Sequence, residues 1–359
     1  MTTRAIGLAL LICGVALVTL PAPGAAQLSL DELAIRAFDI TVELTPVPLR
    51  YEYVTYGDVQ FTSHGMLRGT TVAQLEVTAT SPVTTARFEF DSDVKLTSVA
   101  APAYQITPSR LRDTLTLTFS PALPPGGRVP LTFVYEGGPD YIYDEFVMVN
   151  EGSLYPVLIS PFGDFSANFA HIVLKVTAPG GYTIASTGKL VSRDGNTSTW
   201  DSEVPVPWVA VAGGLKHTVR ERTIAGVEMQ FYVPPGEDRN LDKLADFAGR
   251  SVDYYSKLLY PFPYSRLRTV SIFFVVGGGI GYPAFLLIND RAFRNTFSGD
   301  LNRDSYLFKL IAHEIAHSYV PSQTLPKGSG FIWLSEGFAE YLSLMALETL
   351  MGPEAFKRE

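Results

Sequence analysis

What most constrains this chain is a change of period partway along it. Over residues 27–214 apolar residues recur at every second position, and beyond about residue 215 they recur every three or four. In RDTLTLTF, Leu115, Leu117 and Phe119 alternate with threonines, and in LTFVY the same spacing runs through Leu131, Phe133 and Tyr135. Period two is the pattern of a strand buried on one face. SPALPPGG supplies turn chemistry between these two runs, and KLVSRDGNTSTW sets Asp194-Gly195 between two short runs, the usual text of a tight hairpin. A wholly antiparallel β region is therefore expected.

The second half reads differently. Leu241, Leu244, Ala248, Val252, Tyr255 and Leu259 form one apolar stripe, with Asn240 placed to cap a helix and Pro261 to stop it. RTVSIFFVV, residues 268–276, reads as a buried strand; a glycine run interrupts it, and YPAFLLI resumes extended chain. Two further helices are expected, over about 305–319 and 332–350. Two domains suit a chain of 359 residues. The fold class is α+β, divided into residues 27–215 and 216–359.

Residues 1–26 read as a secretory signal: MTTR is basic, AIGLALLICGVALVTL is apolar, and PAPGAAQ offers small residues for cleavage. An exported protein, periplasmic or extracellular, with no stable membrane insertion after cleavage, is expected. The only cysteine, Cys13, lies in that leader, so the mature chain has no disulfide. A net charge of −8 without any Lys/Arg run excludes a general nucleic-acid binder.

The chemistry is concentrated in LIAHEIAHSYV. On a helix, positions i and i+4 share a face, so His313 and His317 can turn toward one ion while Glu314 points beside it. A catalytic zinc needs a third protein ligand from another element. WLSEGFAEY supplies Glu336, with eighteen residues between it and His317, on a helix that can return alongside the first. Glu340, four residues later on the same face, is placed to accept a hydrogen bond from a ligand histidine. His64, His171 and His217 lack such spacing and read as ordinary polar residues.

Together HEIAH, the eighteen-residue interval and WLSEGFAEY resemble the zinc signature of the aminopeptidase N family of gluzincins. The resemblance extends to VAVAGGLKHTV, MQFYVPPGE and LLYPFPYSRLRTVSIFFV. It implies a saddle-like β domain followed by an incomplete thermolysin-like catalytic domain, one Zn2+ held by His313, His317 and Glu336, Glu314 as general base, and a peptide substrate. In that family a G-x-M-E-N segment grips the substrate's free amine. Here GGGIGYPAFLLI puts Gly281 at the glutamate's place and Tyr282 at the asparagine's. The remaining substrate-binding candidates are Gly278, Gly279 and Tyr282, since a glycine-rich strand edge can pair with an extended peptide.

The family's oxyanion-stabilising tyrosine lies well beyond the third ligand, and this sequence reaches only MGPEAFKRE, as a fragment or a truncated chain would. Tyr282 is the candidate substitute. Tyr319 is the weaker candidate, since two residues past His317 on a helix points about 200° away. Two readings stay open. One is an exported zinc metallopeptidase, with preference for free N-termini undecided. The other is a catalytically impaired zinc-binding relative that binds peptides.

Overall fold

The computed structural model describes residues 31–359 except 54–58, 62, 140, 162, 274–277 and 297–302. The expected leader, Cys13 and the end of the strand expected over 268–276 lie outside the described residues.

Alternation builds the first part as expected. Leu115, Leu117, Phe119, Leu131, Phe133 and Tyr135 are all buried. They sit in a four-stranded sheet and a seven-stranded sheet that face each other: Phe88 of the first meets Phe133 of the second edge-to-face at 5.3 Å. The seven-stranded sheet runs Lys189–Asp194, Thr197–Asp201, His171–Thr177, Leu33–Thr45, Met66–Val77, Arg128–Gly137, Val94–Ala100.

The expectation of a wholly antiparallel region is corrected at the centre of this sheet. Leu33–Thr45 pairs with His171–Thr177 in parallel, Ala37 opposite His171. Alternation fixes which face of a strand is buried and is blind to its neighbour's direction. Here the partners are joined by a long path through other strands, so no hairpin imposes antiparallel pairing. A smaller shift occurs at the expected hairpin: Asp194 pairs with Thr197, so Gly195 and Asn196 form the turn, with Gly195 at φ 56°.

The second part is a five-stranded sheet in the order Thr218–Ile224, Val227–Val233, Arg266–Ile272, Phe285–Asn289, Gly279–Tyr282. Helix α1 (Leu241–Leu258) makes the crossover between the parallel strands Val227–Val233 and Arg266–Ile272. Its stripe buries Leu241, Leu244, Ala248, Val252 and Tyr255, whereas Leu259 lies past the helix and is exposed. Asn240 occupies the cap position, yet its side chain donates to the Ala292 carbonyl instead of capping the helix. Arg268, expected in a buried strand, is itself buried: its guanidinium stacks over Trp200 of the seven-stranded sheet, and its Nε donates to Gln230. It ties the two sheets together.

Four further helices follow among the described residues: α2 (Asp290–Arg294), α3 (Asp304–Ala316), α4 (Phe331–Met351) and the short α5 (Pro353–Phe356). Helix α1 packs on α3 through Phe247 against Phe308, 5.4 Å between ring centroids, and through the Tyr255 hydroxyl, which donates to the Ala312 carbonyl. Among the described residues no helix is long and apolar enough to cross a membrane.

Candidate metal centre

Helix α3 ends at Ala316, three residues before the expected end, which leaves His317 at the C-cap. Its backbone is still right-handed, at φ −63° and ψ −20°, so the i, i+4 relation to His313 survives. The two rings stand 4.9 Å apart at 79°. Helix α4 returns alongside α3 and brings Glu336 between them. His313 Nε2 lies 3.2 Å from Glu336 Oε2, and His317 Nε2 lies 3.5 Å from Glu336 Oε1.

Each imidazole is oriented through its other nitrogen. His313 Nδ1 donates to Glu340 Oε2 at 3.3 Å, and the opposite oxygen of Glu340 is held by Lys309 Nζ at 2.7 Å. His317 Nδ1 donates to the Val320 carbonyl at 3.1 Å. Both Nε2 atoms are thereby left as lone-pair donors facing the same point.

The donor set fits a zinc ion. Among the described residues His313, His317 and Glu336 form the one group of three whose ligand atoms all lie within 4.8 Å of one another. Tetrahedral ligands at roughly 2.0–2.1 Å from a zinc ion would lie about 3.4 Å apart, close to the two nitrogen–oxygen separations seen. In the metal-free protein, protonated imidazoles donate to Glu336 and hold its carboxyl well below the usual range; with the Nε2 protons lost to a metal, Glu336 is an anion ready to ligate.

Glu314 is buried, 5% exposed, and burial pushes its carboxyl up to about 7. Its side chain lies over Gly279, where a Cβ would come within 3.0 Å of Oε1. The Gly279–Tyr282 strand packs so closely on α3 that side chains are shut out. A Cβ on Gly281 would fall 2.5 Å from the Glu314 carbonyl oxygen and 2.8 Å from His317 Cβ. Gly281→Ala must therefore push the strand off α3, and a loss of about 2 kcal/mol is expected in a denaturant melt, with weaker metal retention. A larger side chain at 281, a carboxylate included, meets the same obstacle.

A cleft of about 410 Å³ opens on this constellation. Gly279, Tyr282, His313, Glu314, His317 and Glu336 all line it. Gly278 does not: its Cα abuts Leu310, and its carbonyl accepts from Asn289 N. Tyr282 is buried, and burial pushes its hydroxyl well above the usual range. Tyr319 is buried among Tyr255, Tyr260 and Phe262.

The β region builds the other wall and sets the start of α4. Phe331 packs between Phe165 and Trp208, while Gly328 N donates to Asp164 Oδ2 at 2.7 Å and Lys327 Nζ pairs with the buried Asp31 at 2.7 Å. The same wall contributes Glu151, which sequence reasoning missed. Its Oε2 is buried without a hydrogen-bond partner among the described residues, and burial pushes the carboxyl up to about 7. Nothing in VNEGSLYP marks it, because a single glutamate in a loop carries no spacing signal.

No protein-family model matches the chain. It is similar over part of its length to three curated proteins. One is an aminopeptidase-like protein of Caenorhabditis elegans, 24% identical over 178 residues, which are 48% of this chain and 16% of that protein. A second is the puromycin-sensitive aminopeptidase of Caenorhabditis elegans, 27% identical over 144 residues, 38% of this chain and 15% of that protein. The third is aminopeptidase M1-B of Oryza sativa subsp. japonica, 25% identical over 145 residues, 40% of this chain and 16% of that protein. Each matched stretch thus spans about one sixth of the relative's own length.

Proposed function

We propose that the protein is an exported zinc-dependent peptidase of the aminopeptidase N type, with residues 1–26 as its leader and the metal centre in a thermolysin-like part that begins near residue 216. The observation that carries this reading is the convergence of His313, His317 and Glu336 on one point, with the buried Glu314 beside it on the same cleft. Partial similarity to two aminopeptidases and an aminopeptidase-like protein supports it.

A zinc ion at this point would supply Lewis acidity to the scissile carbonyl and make a water more acidic. The chain's own residues do the rest. Glu314 takes a proton from the attacking water on its carboxylate and delivers it to the leaving amine, a task suited to a group whose proton affinity burial has brought near neutral pH. The Gly279–Tyr282 strand is the edge of its sheet and lies along the cleft, so an extended peptide can pair with its backbone. Glu151 is the carboxylate available for the substrate's ammonium, in place of the one absent at Gly281.

The test compares free and N-blocked peptides, with and without chelator. Chelator-sensitive hydrolysis is expected, with Glu151→Gln raising KM for free peptides about 10- to 100-fold and leaving blocked peptides unchanged. Hydrolysis that is absent or indifferent to chelator would overturn the reading. One observation favours a non-catalytic peptide binder instead: Gly281 leaves no carboxylate at the position where the resembled family grips the substrate's amine. The same assay decides between them.

A further inference from the structure

Away from the metal centre, the strands Val227–Val233, Arg266–Ile272 and Phe285–Asn289 run parallel. The residues that follow them, Pro234, Phe273 and Asp290, all line a cavity of about 570 Å³. Crevices at the carboxyl ends of parallel strands are where such sheets commonly bind ligands, because the chain diverges there. The opposite wall comes from the β region through Asp144, Glu145 and His217.

Four carboxylates line this cavity, Asp144, Glu145, Glu237 and Asp290, against one guanidinium, that of Arg294. Arg294 is already spent on Glu237, at 3.4 Å, and on Asp290. Asp144 accepts from the Tyr182 hydroxyl at 2.6 Å and Glu145 from Leu49 N at 3.2 Å, both neutral donors. The negative charge of that wall is therefore uncompensated within the cavity.

A second observation is independent of the charge. His217 and Ser271 line the inner wall, 5% and 1% exposed, and neither ring nitrogen of His217 nor the hydroxyl of Ser271 has a hydrogen-bond partner among the described residues. The backbones of Gly214, Leu215 and Ser271 come close to the ring without completing a hydrogen bond. Gly214 seats that ring, since a Cβ there would fall 2.2 Å from His217 Cε1. Buried polar groups are normally paired, and unpaired ones call for an explanation.

We infer that this cavity is a second ligand site and that it takes an alkylammonium group. An ammonium carries three donors and no acceptor. Asp144 and Glu145 supply charge-assisted acceptors for it, with the unspent His217 and Ser271 alongside. Phe146, Leu215 and Ile272 supply an apolar wall for the alkyl stem. A metal ion suits the cavity poorly, because its carboxylates and imidazole do not converge as the three ligands of the metal centre do. The group can belong to a free diamine or to a lysine side chain.

Calorimetric titration of the full chain with cadaverine and, separately, with Nα-acetyl-lysine amide tests the site. Saturable binding of one molecule per chain is expected for at least one of them, tighter for cadaverine if the ligand is a free amine and for the lysine amide if it is a peptide side chain. Glu145→Gln should weaken it at least about tenfold, and Glu151→Gln, in the metal cleft, should leave it unchanged. His217 ring resonances of the unsubstituted protein should move with the same titration, a readout that does not depend on any variant folding. Absence of saturation by either amine, still His217 resonances, or equal sensitivity to both substitutions would overturn the inference.

Discussion

Glu314→Gln should cost about a thousandfold in kcat on any peptide the protein cleaves, roughly 4 kcal/mol of barrier, while bound zinc stays at its original stoichiometry. The amide keeps the carboxylate's shape over Gly279 and loses only the ability to take a proton. A second readout separates this from damage to the fold. In the metal-free protein the buried Glu314 carboxyl sits at about 7 instead of 4.5, so the folded state holds its proton longer than the unfolded state does. Stability must then fall as pH rises from about 4.5 through about 7, by at most roughly 3 kcal/mol, and stay lower above. The glutamine variant lacks that loss and should melt no lower than the parent at pH 8. A variant that kept full activity would remove Glu314 from the mechanism.

His317→Ala should have the largest effect on the metal itself. One of three ligands is removed, and a third of a typical binding free energy of about 12 kcal/mol is roughly 4, or near a thousandfold in affinity. Elemental analysis after dialysis should find almost no zinc and no hydrolysis. Glu340→Ala gives the intermediate case. Removing it frees His313 Nδ1 and leaves Lys309 without its 2.7 Å partner, so affinity should fall about 10- to 100-fold while the ligands remain. Equal zinc retention in all three variants would rule out this site as the metal centre.

The text of the chain carried the site further than it carried the sheets. Ligand spacing is local, and HEIAH followed by a helical glutamate after an eighteen-residue interval leaves little freedom in where the three side chains meet. Even the loss of three residues from the end of α3 did not matter, because His317 keeps helical dihedrals at the cap. The parallel pairing of Leu33–Thr45 with His171–Thr177 was illegible for the opposite reason, since partner and direction are settled by packing between distant segments. Asn240 shows a mixed case: propensity placed it at the helix start, and a tertiary bond to Ala292 took over its side chain. Glu151 and His217 were invisible because what singles them out is burial without a partner, a property of the surroundings and not of the residue.

The first turn of α4 has no side-chain cap of its own and is set in place from outside, by Phe165 and Trp208 around Phe331 and by Asp164 on Gly328. Glu336 stands little more than one turn further along. Two of the three metal ligands therefore belong to a single local segment, while the third is indexed to strands and loops laid down much earlier in the chain. On the function proposed above, zinc affinity would report on whether the N-terminal sheets have assembled, since a chain with α3 alone offers two imidazoles and the docked chain closes the set. Hydrolysis, on that proposal, would have to wait for the same docking.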